Sequence, residues 1–238
     1  MSSPVVFIDT NIMKFSATKL RRLRPRMQKL KWGNQEIETE VNDIVFVNPN
    51  KLITNPKIKY EVEYLPLLAA AGKNHKAKYV SQFEADFESW GIPNMDSIDG
   101  RFYGSPISWI EAPIEYNRVF MSWQEDGRDL QYDFLSGINN QRFIEIQKLT
   151  GAYQGKGKRN KNQLLDAFHL WCAEHAECDY FLTLDLKLIK MVSTNTKRSV
   201  NIKVVHPSEL AEVLGCKLSL NKRIKHWMQN VWLELLRR

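Results

Sequence analysis

The chain has only three cysteines, Cys172, Cys178 and Cys216, and none is spaced Cys-x-x-Cys. An odd, scattered set argues against a disulfide framework or a zinc site, and we read these residues as reduced thiols. Nowhere does an apolar run approach the roughly 20 residues that span a bilayer. The N-terminus has no basic stretch leading into an apolar signal core and a small-residue cleavage site. The expectation is a cytoplasmic protein with no membrane partner. No Gly-rich loop ending in Lys-Ser/Thr occurs, which argues against a nucleoside-triphosphate motor. Acids are the scarcer charge: 27 Asp and Glu against 34 Lys and Arg leave a net charge of +7. That balance favours a polyanionic partner.

What the chain does have is core-forming material, with 43% hydrophobic and 11% aromatic residues over 238 positions. This suffices for one domain with an insertion, or for two small ones. The cations are clustered. Lys14, Lys19, Arg21, Arg22, Arg24, Arg26, Lys29 and Lys31 follow one another with no acid between them, and Gly155 to Lys161 adds Lys156, Lys158, Arg159 and Lys161. Lys14, Arg21, Arg22 and the second cluster are candidate contacts to nucleic-acid phosphates.

Val5 to Ile8 is a continuous β-branched run, the mark of a strand buried on both faces. The segment from Asn11 to about Leu30 reads as a helix, with Pro25 a break. A short strand is expected at Leu52 to Thr54. Asn55-Pro56 then opens a helix whose buried face is marked by Ile58, Val62 and Leu65, with Pro66 a possible kink. A further amphipathic stretch from about Lys76 to Trp90 should pack beside it. From Ile92 to about Thr150, Gly, Pro, Ser and aromatics predominate, and we read an insertion contributing a hairpin or loops and a helix. Regular order resumes with a helix over Leu164 to Cys172, a strand over Asp179 to Thr183 and a helix from Leu186. A strand before His206 and a helix introduced by His206-Pro207-Ser208 and closed by Gly215 complete the pattern. Alternation of strand and helix predicts a parallel sheet with helices on both faces.

Ligands of such sheets bind at the carboxyl ends of the strands. Asp9 and Asp185 each follow the end of a strand and so belong at that edge. Asp166 lies early in an apolar helix, where an uncompensated carboxylate is costly. Glu61 flanks the buried face of the helix after Asn55, and Glu63 is the alternative if the register differs. Carboxylates converging on one pocket raise one another's pKa unless a cation is present. Oxygen-only ligation suits Mg²⁺ or Mn²⁺, and such ions support phosphodiester hydrolysis. Taken singly, each Asp is better read as a helix cap.

The stretches "VVFIDTNI", "LITNPKIKYEVEYL", "NQLLDAFHLWCAEHAECDYFLTLDLKLI" and "IKVVHPSEL", in that order, resemble the PIN-domain family of metal-dependent ribonucleases. The family pattern is a strand ending in Asp-Thr/Ser-Asn, a Glu in the helix after the second strand, an Asp-Ala near the start of a later helix, and Thr-x-Asp after the following strand. The resemblance covers roughly residues 4–75 and 160–215. It implies a PIN-like three-layer fold over residues 1–215, interrupted at about 92–150. It further implies an acidic metal site of Asp9, Glu61, Asp166 and Asp185 supported by Asn11 and Thr183, and an endoribonuclease acting on RNA. His169, one turn after Asp166, is read as a core residue in preference to a phosphate contact. A HAD-type phosphatase would place a second Asp where Asn11 stands.

Phe102, Tyr103, Trp109 and Trp123 of the insertion are candidates to stack unpaired bases, although burial in the core is the commoner fate of such residues. The tail, residues 216–238, carries Ile224, Trp227, Met228, Val231, Trp232, Leu235 and Leu236 at spacings of three and four, an amphipathic helix. It is expected to pack on the body or to serve self-association or a regulatory protein. The rival functions are a non-catalytic RNA-binding or scaffold protein and a toxin or defence nuclease held by a protein partner.

Overall fold

The computed structural model describes residues 3–17, 20–33, 35–48, 50, 53–90, 98–116, 127–153 and 160–221. Lys19, Trp123, Lys156, Lys158, Arg159 and the tail beyond residue 221 lie outside the described residues, as do the side chains of Arg21 and Arg22.

Five short strands form one sheet: β1 (Val5–Ile8), β4 (Lys78–Ser81), β5 (Ile107–Trp109), β6 (Tyr180–Leu182) and β7 (Lys203–Val205), in the order β5-β4-β1-β6-β7. Every pairing is parallel. From β1 the chain runs outward through β4 to β5, then returns to place β6 on the other side of β1. The order therefore reverses between β1 and β6, which is where such sheets open a crevice at their carboxyl edge.

Alternation along each central strand builds two cores. Val6, Ile8, Tyr79 and Leu182 pack on one face against α1 (Thr10–Ser16), α2 (Pro56–Val62), α3 (Leu65–Lys73) and α9 (Pro207–Val213). Phe7, Val80 and Phe181 pack on the other against α5 (Gly127–Gly137), α6 (Gln141–Leu149), α7 (Lys161–His175) and α8 (Leu186–Thr194). The fold is α/β, a parallel sheet flanked by helices on both faces, as the sequence pattern predicts. Local chemistry sets the helix starts. Asn55 accepts from the backbone N–H of Lys57 at 3.0 Å ahead of Pro56, and Pro207 occupies the first turn of α9. Gly215 ends that helix with φ +68°, a conformation a side chain would oppose.

Five expectations are corrected. The helix expected from Asn11 to Leu30 stops at Ser16. Beyond it, β2 (Leu20–Trp32) and β3 (Gln35–Val47) pair antiparallel along their whole length as a separate two-stranded sheet. Both of its strands are edges, so Pro25, which has no N–H to donate, is accommodated without breaking anything. Of the strand expected at Leu52 to Thr54, Leu52 lies outside the described residues, and Ile53 and Thr54 lie outside any strand. The stretch Lys76 to Trp90 is not one helix but β4 followed by α4 (Phe83–Trp90): Tyr79 and Val80 are buried in the middle of the sheet, and the Tyr79 hydroxyl donates to the Leu68 carbonyl at 2.7 Å. The segment read as an insertion, in place of a hairpin, supplies β5 to the sheet edge as well as α5 and α6 to the second core. Pro66 falls in the first turn of α3, so it begins a new helix after α2 ends and does not kink a continuous one.

Candidate active site

Asp9 stands one residue beyond β1 and is almost wholly buried. Its backbone N–H donates to Leu182 of β6 at 3.1 Å, tying the two strand ends together. The Asp9 side chain makes no capping bond to α1, although it occupies the N-cap position. Its Oδ2 instead accepts from Thr183 Oγ1 at 2.6 Å and from Asn11 Nδ2 at 2.5 Å. Asn11 Nδ2 also reaches Thr183 Oγ1 at 2.9 Å, while Asn11 Oδ1 accepts from the Leu184 N–H at 3.0 Å. Thr183 Oγ1 accepts in turn from the Asp185 N–H at 3.0 Å. Asn11 and Thr183 therefore support the carboxylate and join the ends of β1 and β6 across the point where strand order reverses.

Asp185 is itself a helix cap. Its Oδ1 accepts from the N–H groups of Lys187 at 2.8 Å and Leu188 at 3.0 Å, which starts α8. Asp166 lies on α7, two residues after the buried Leu164. Burial pushes its carboxyl up to about 8, the charges of Asp9, Asp185 and Glu88 add to the shift, and Lys187 opposes it. Asp9 is pushed up to about 7, first by burial and then by Glu88 and Asp185, against the lowering effect of its bonds to Thr183 and Thr10. Three of the four expected acids thus act on one another at the carboxyl edge of the sheet.

Glu61 does not join them. Its two oxygens accept from Ser208, one from the N–H and one from the hydroxyl, both at 2.8 Å, so it holds the first turn of α9. Burial raises its pKa, the two Ser208 bonds and His206 lower it, and Glu209 raises it. Glu63 sits at the end of α2 as its C-cap. A further acid, Glu88 of α4, acts through its charge on Asp9, Asp166 and His169. The second strand of the sheet is β4, and α4 is the helix that follows it. The signal that could have found Glu88 was the apolar run Tyr79-Val80 before it, hidden once the whole stretch was read as one helix.

His169 is fully buried, with its Nδ1 3.9 Å from Asp9 Oδ1 and its ring beside Phe7. Burial lowers its pKa, so it is a neutral core imidazole behind the site. Of the candidate aromatics among the described residues, Phe102 is buried in the first core, Tyr103 is partly buried against it, and Trp109 is exposed. Trp109, with Phe83, Arg101 and Ile110, lines a cavity of about 690 Å³ at the ends of β4 and β5. Lys14 is exposed on α1 beside the Phe15 ring. Lys161, at the start of α7, is an exposed cation already paired with Asp129. Cys172 and Cys178 are buried free thiols, and Cys216 is a partly buried one.

The donor set suits a hard divalent cation in its chemistry, being carboxylate oxygens whose charges burial and repulsion disfavour until a cation offsets them. Among the described residues no three His, Cys, Asp or Glu side chains form a ready-made ligand cage. No helix among the described residues is long and apolar enough to cross a membrane. Compared with known proteins, the chain matches no family model and no curated protein.

Proposed function

We propose that the chain is a metal-dependent endoribonuclease with a PIN-like fold. The observation that carries this reading is that the charges of Asp9, Asp166 and Asp185 act on one another near the point where strand order reverses, burial and this repulsion raising two of them far above the usual carboxylate range. Isolated helix caps do not repel one another, and a cluster that does is costly unless a ligand compensates it. The net charge of +7 supports a polyanionic substrate.

Asp9, Asp166 and Asp185, with Glu88, would hold Mg²⁺ or Mn²⁺. Such an ion supplies Lewis acidity toward a phosphoryl oxygen and a water of lowered pKa. The chain's own residues set the geometry. Thr183 and Asn11 fix the Asp9 carboxylate in one orientation, and the capping of α8 occupies only Oδ1 of Asp185. Lys187, whose charge favours an ionised Asp166, partly offsets the cost of ionising that carboxyl as a ligand.

The test is a Mn²⁺ titration with labelled single-stranded RNA, run beside single-stranded DNA because carboxylates do not read the sugar. Wild-type protein cleaves, and the Asp9→Asn and Asp185→Asn variants do not. Tight RNA binding without metal-dependent cleavage would overturn the proposal and leave a non-catalytic RNA-binding protein.

A further inference from the structure

The arm formed by β2 and β3 has no role in the site just described. Its strands pack chiefly against each other, in register from Leu20 opposite Val47 to Trp32 opposite Gln35. At about 3.3 Å per residue, thirteen-residue strands make an arm about 43 Å long. A two-stranded hairpin alone is marginal in water, and this one carries most of the large exposed apolar side chains among the described residues. On one of its faces Leu23, Met27, Ile44 and Phe46 are 62%, 60%, 49% and 59% exposed. Such a face marks an interaction surface.

The charge pattern says what covers it. β2 carries six cations, Arg21, Arg22, Arg24, Arg26, Lys29 and Lys31, against the four acids Glu36, Glu38, Glu40 and Asp43 of β3, and on the Leu23/Ile44 face Lys29 and Lys31 stand opposite Glu38 and Glu36. A face that sets an acid beside each of these cations is a poor ligand for a nucleic-acid backbone. It is instead complementary to itself. Two copies can stack these faces about a two-fold axis in only two aligned ways. An axis across the middle of the arm lays β2 on the partner's β2 in the opposite direction, which sets Lys29 over Leu23 and Glu38 over Ile44, charge against apolar side chain. An axis along the arm lays β2 of one copy on β3 of the other at the same level. The second arrangement puts Leu23 on Ile44, Lys29 on Glu38 and Lys31 on Glu36, because those residues are opposite one another within each arm.

We propose that the chain dimerises by stacking the Leu23/Ile44 faces of two β2–β3 arms in parallel. One face offers roughly 400 Å² per copy and roughly 800 Å² per pair, from the strand spacing and length. That is at the low end of specific interfaces, so the dimer forms at micromolar or higher concentration. The association is independent of the nuclease reading, and a chain that cleaves nothing would still dimerise.

Sedimentation equilibrium of the full chain across roughly micromolar to several hundred micromolar concentrations tests it. The apparent mass should climb from 27.8 kDa toward twice that value. A Leu23→Asp/Ile44→Asp variant should stay at the monomer mass. So should a chain whose arm is shortened by joining Arg22 to Val45 through a Gly-Asn turn, which leaves both cores intact. Charge reversal separates contact across copies from effects within one arm. A Lys29→Glu/Lys31→Glu chain and a Glu36→Lys/Glu38→Lys chain should each be monomeric alone and should associate when mixed, since repulsion within each arm is the same in both samples. A wild-type chain that remains monomeric, a shortened-arm chain that still dimerises, or a mixture no more associated than its components would each overturn the proposal.

Discussion

The carboxyl edge of the sheet and the β2–β3 arm both read as clusters of charge, yet they are opposite kinds of cluster. At the sheet edge Asp9 after β1, Asp185 before α8, Asp166 of α7 and Glu88 of α4 share one sign, and the energies of Asp9 and Asp166 are set by burial and repulsion. On the arm, Arg26 meets Asp43 at 2.9 Å and Lys29 meets Glu38 at 4.0 Å, all four side chains between 45% and 67% exposed. Opposite charges in water nearly cancel in energy. Function is therefore to be sought where like charges are held together at a cost, and charge density by itself is a poor guide to it.

Removing one acid from the sheet edge should have the largest effect. Asp9→Asn or Asp166→Asn should abolish Mn²⁺-dependent cleavage of labelled RNA while leaving the circular dichroism spectrum unchanged, because the amide keeps the shape and loses the charge. Thr183→Val, which leaves Asp9 without its hydroxyl donor, should lower cleavage by about 10- to 100-fold, the usual effect of disturbing a residue that orients a ligand. Equal activity in all three would mean that the cluster is structural and would erase the contrast with the arm.

A second experiment divides the two glutamates. Glu88→Gln should depress cleavage strongly with little change in Tm. Glu61→Gln should cost about 1 to 3 kcal/mol of stability by weakening the charged bonds to Ser208, and should leave the cleavage rate per folded molecule unchanged. The reverse result would place Glu61 in the site.

This division also shows where the sequence was legible. The strand ending in Asp9 with Asn11 two residues on, and the Thr183-x-Asp185 that follows β6, are local patterns, and the parallel sheet brings them together through bonds between those same residues. Glu61 and Glu88 each follow an apolar run and open onto helical spacing, so periodicity alone ranks them equally. Only the pairing of β4 with β1 decides which helix faces the site. The arm was missed for a related reason. Eight cations without an acid look like a solvated helix or a phosphate-binding run until their partner strand is identified. The signal was present: Gly33-Asn34 separates two thirteen-residue runs, and Gly33 takes φ +62°. Its partner strand sets four acids against the six cations of β2.

Smaller but diagnostic is the dependence of stability on pH. Asp9 and Asp166 titrate near 7 and 8 in the folded chain, against a usual value of 3.8. The folded form thus binds more protons than the unfolded chain between about pH 4 and pH 8, and stability falls as pH rises through that window. Without added metal, Tm should drop by at least about 3 °C between pH 5 and pH 8.5. Asp166→Asn should flatten the profile by removing one of the two groups and easing the other. Mn²⁺ or Mg²⁺ should raise Tm more at pH 8.5 than at pH 5, where protons compete for the same oxygens. A profile unchanged by Asp166→Asn would remove the energetic distinction between edge and arm.

The smallest effect expected is on the arm itself. Arg26→Gln breaks an ion pair whose members are 53% and 45% exposed. Such pairs contribute about 0 to 1 kcal/mol, so Tm should move by less than about 3 °C, and less still at high salt. RNA affinity measured at low salt should also hold, since Arg26 is already paired with Asp43. A tenfold loss of RNA affinity in Arg26→Gln, with a normal Tm, would show that the arm's cations work on phosphate despite their partners. The contrast would then be one of position alone, with both clusters serving the same substrate.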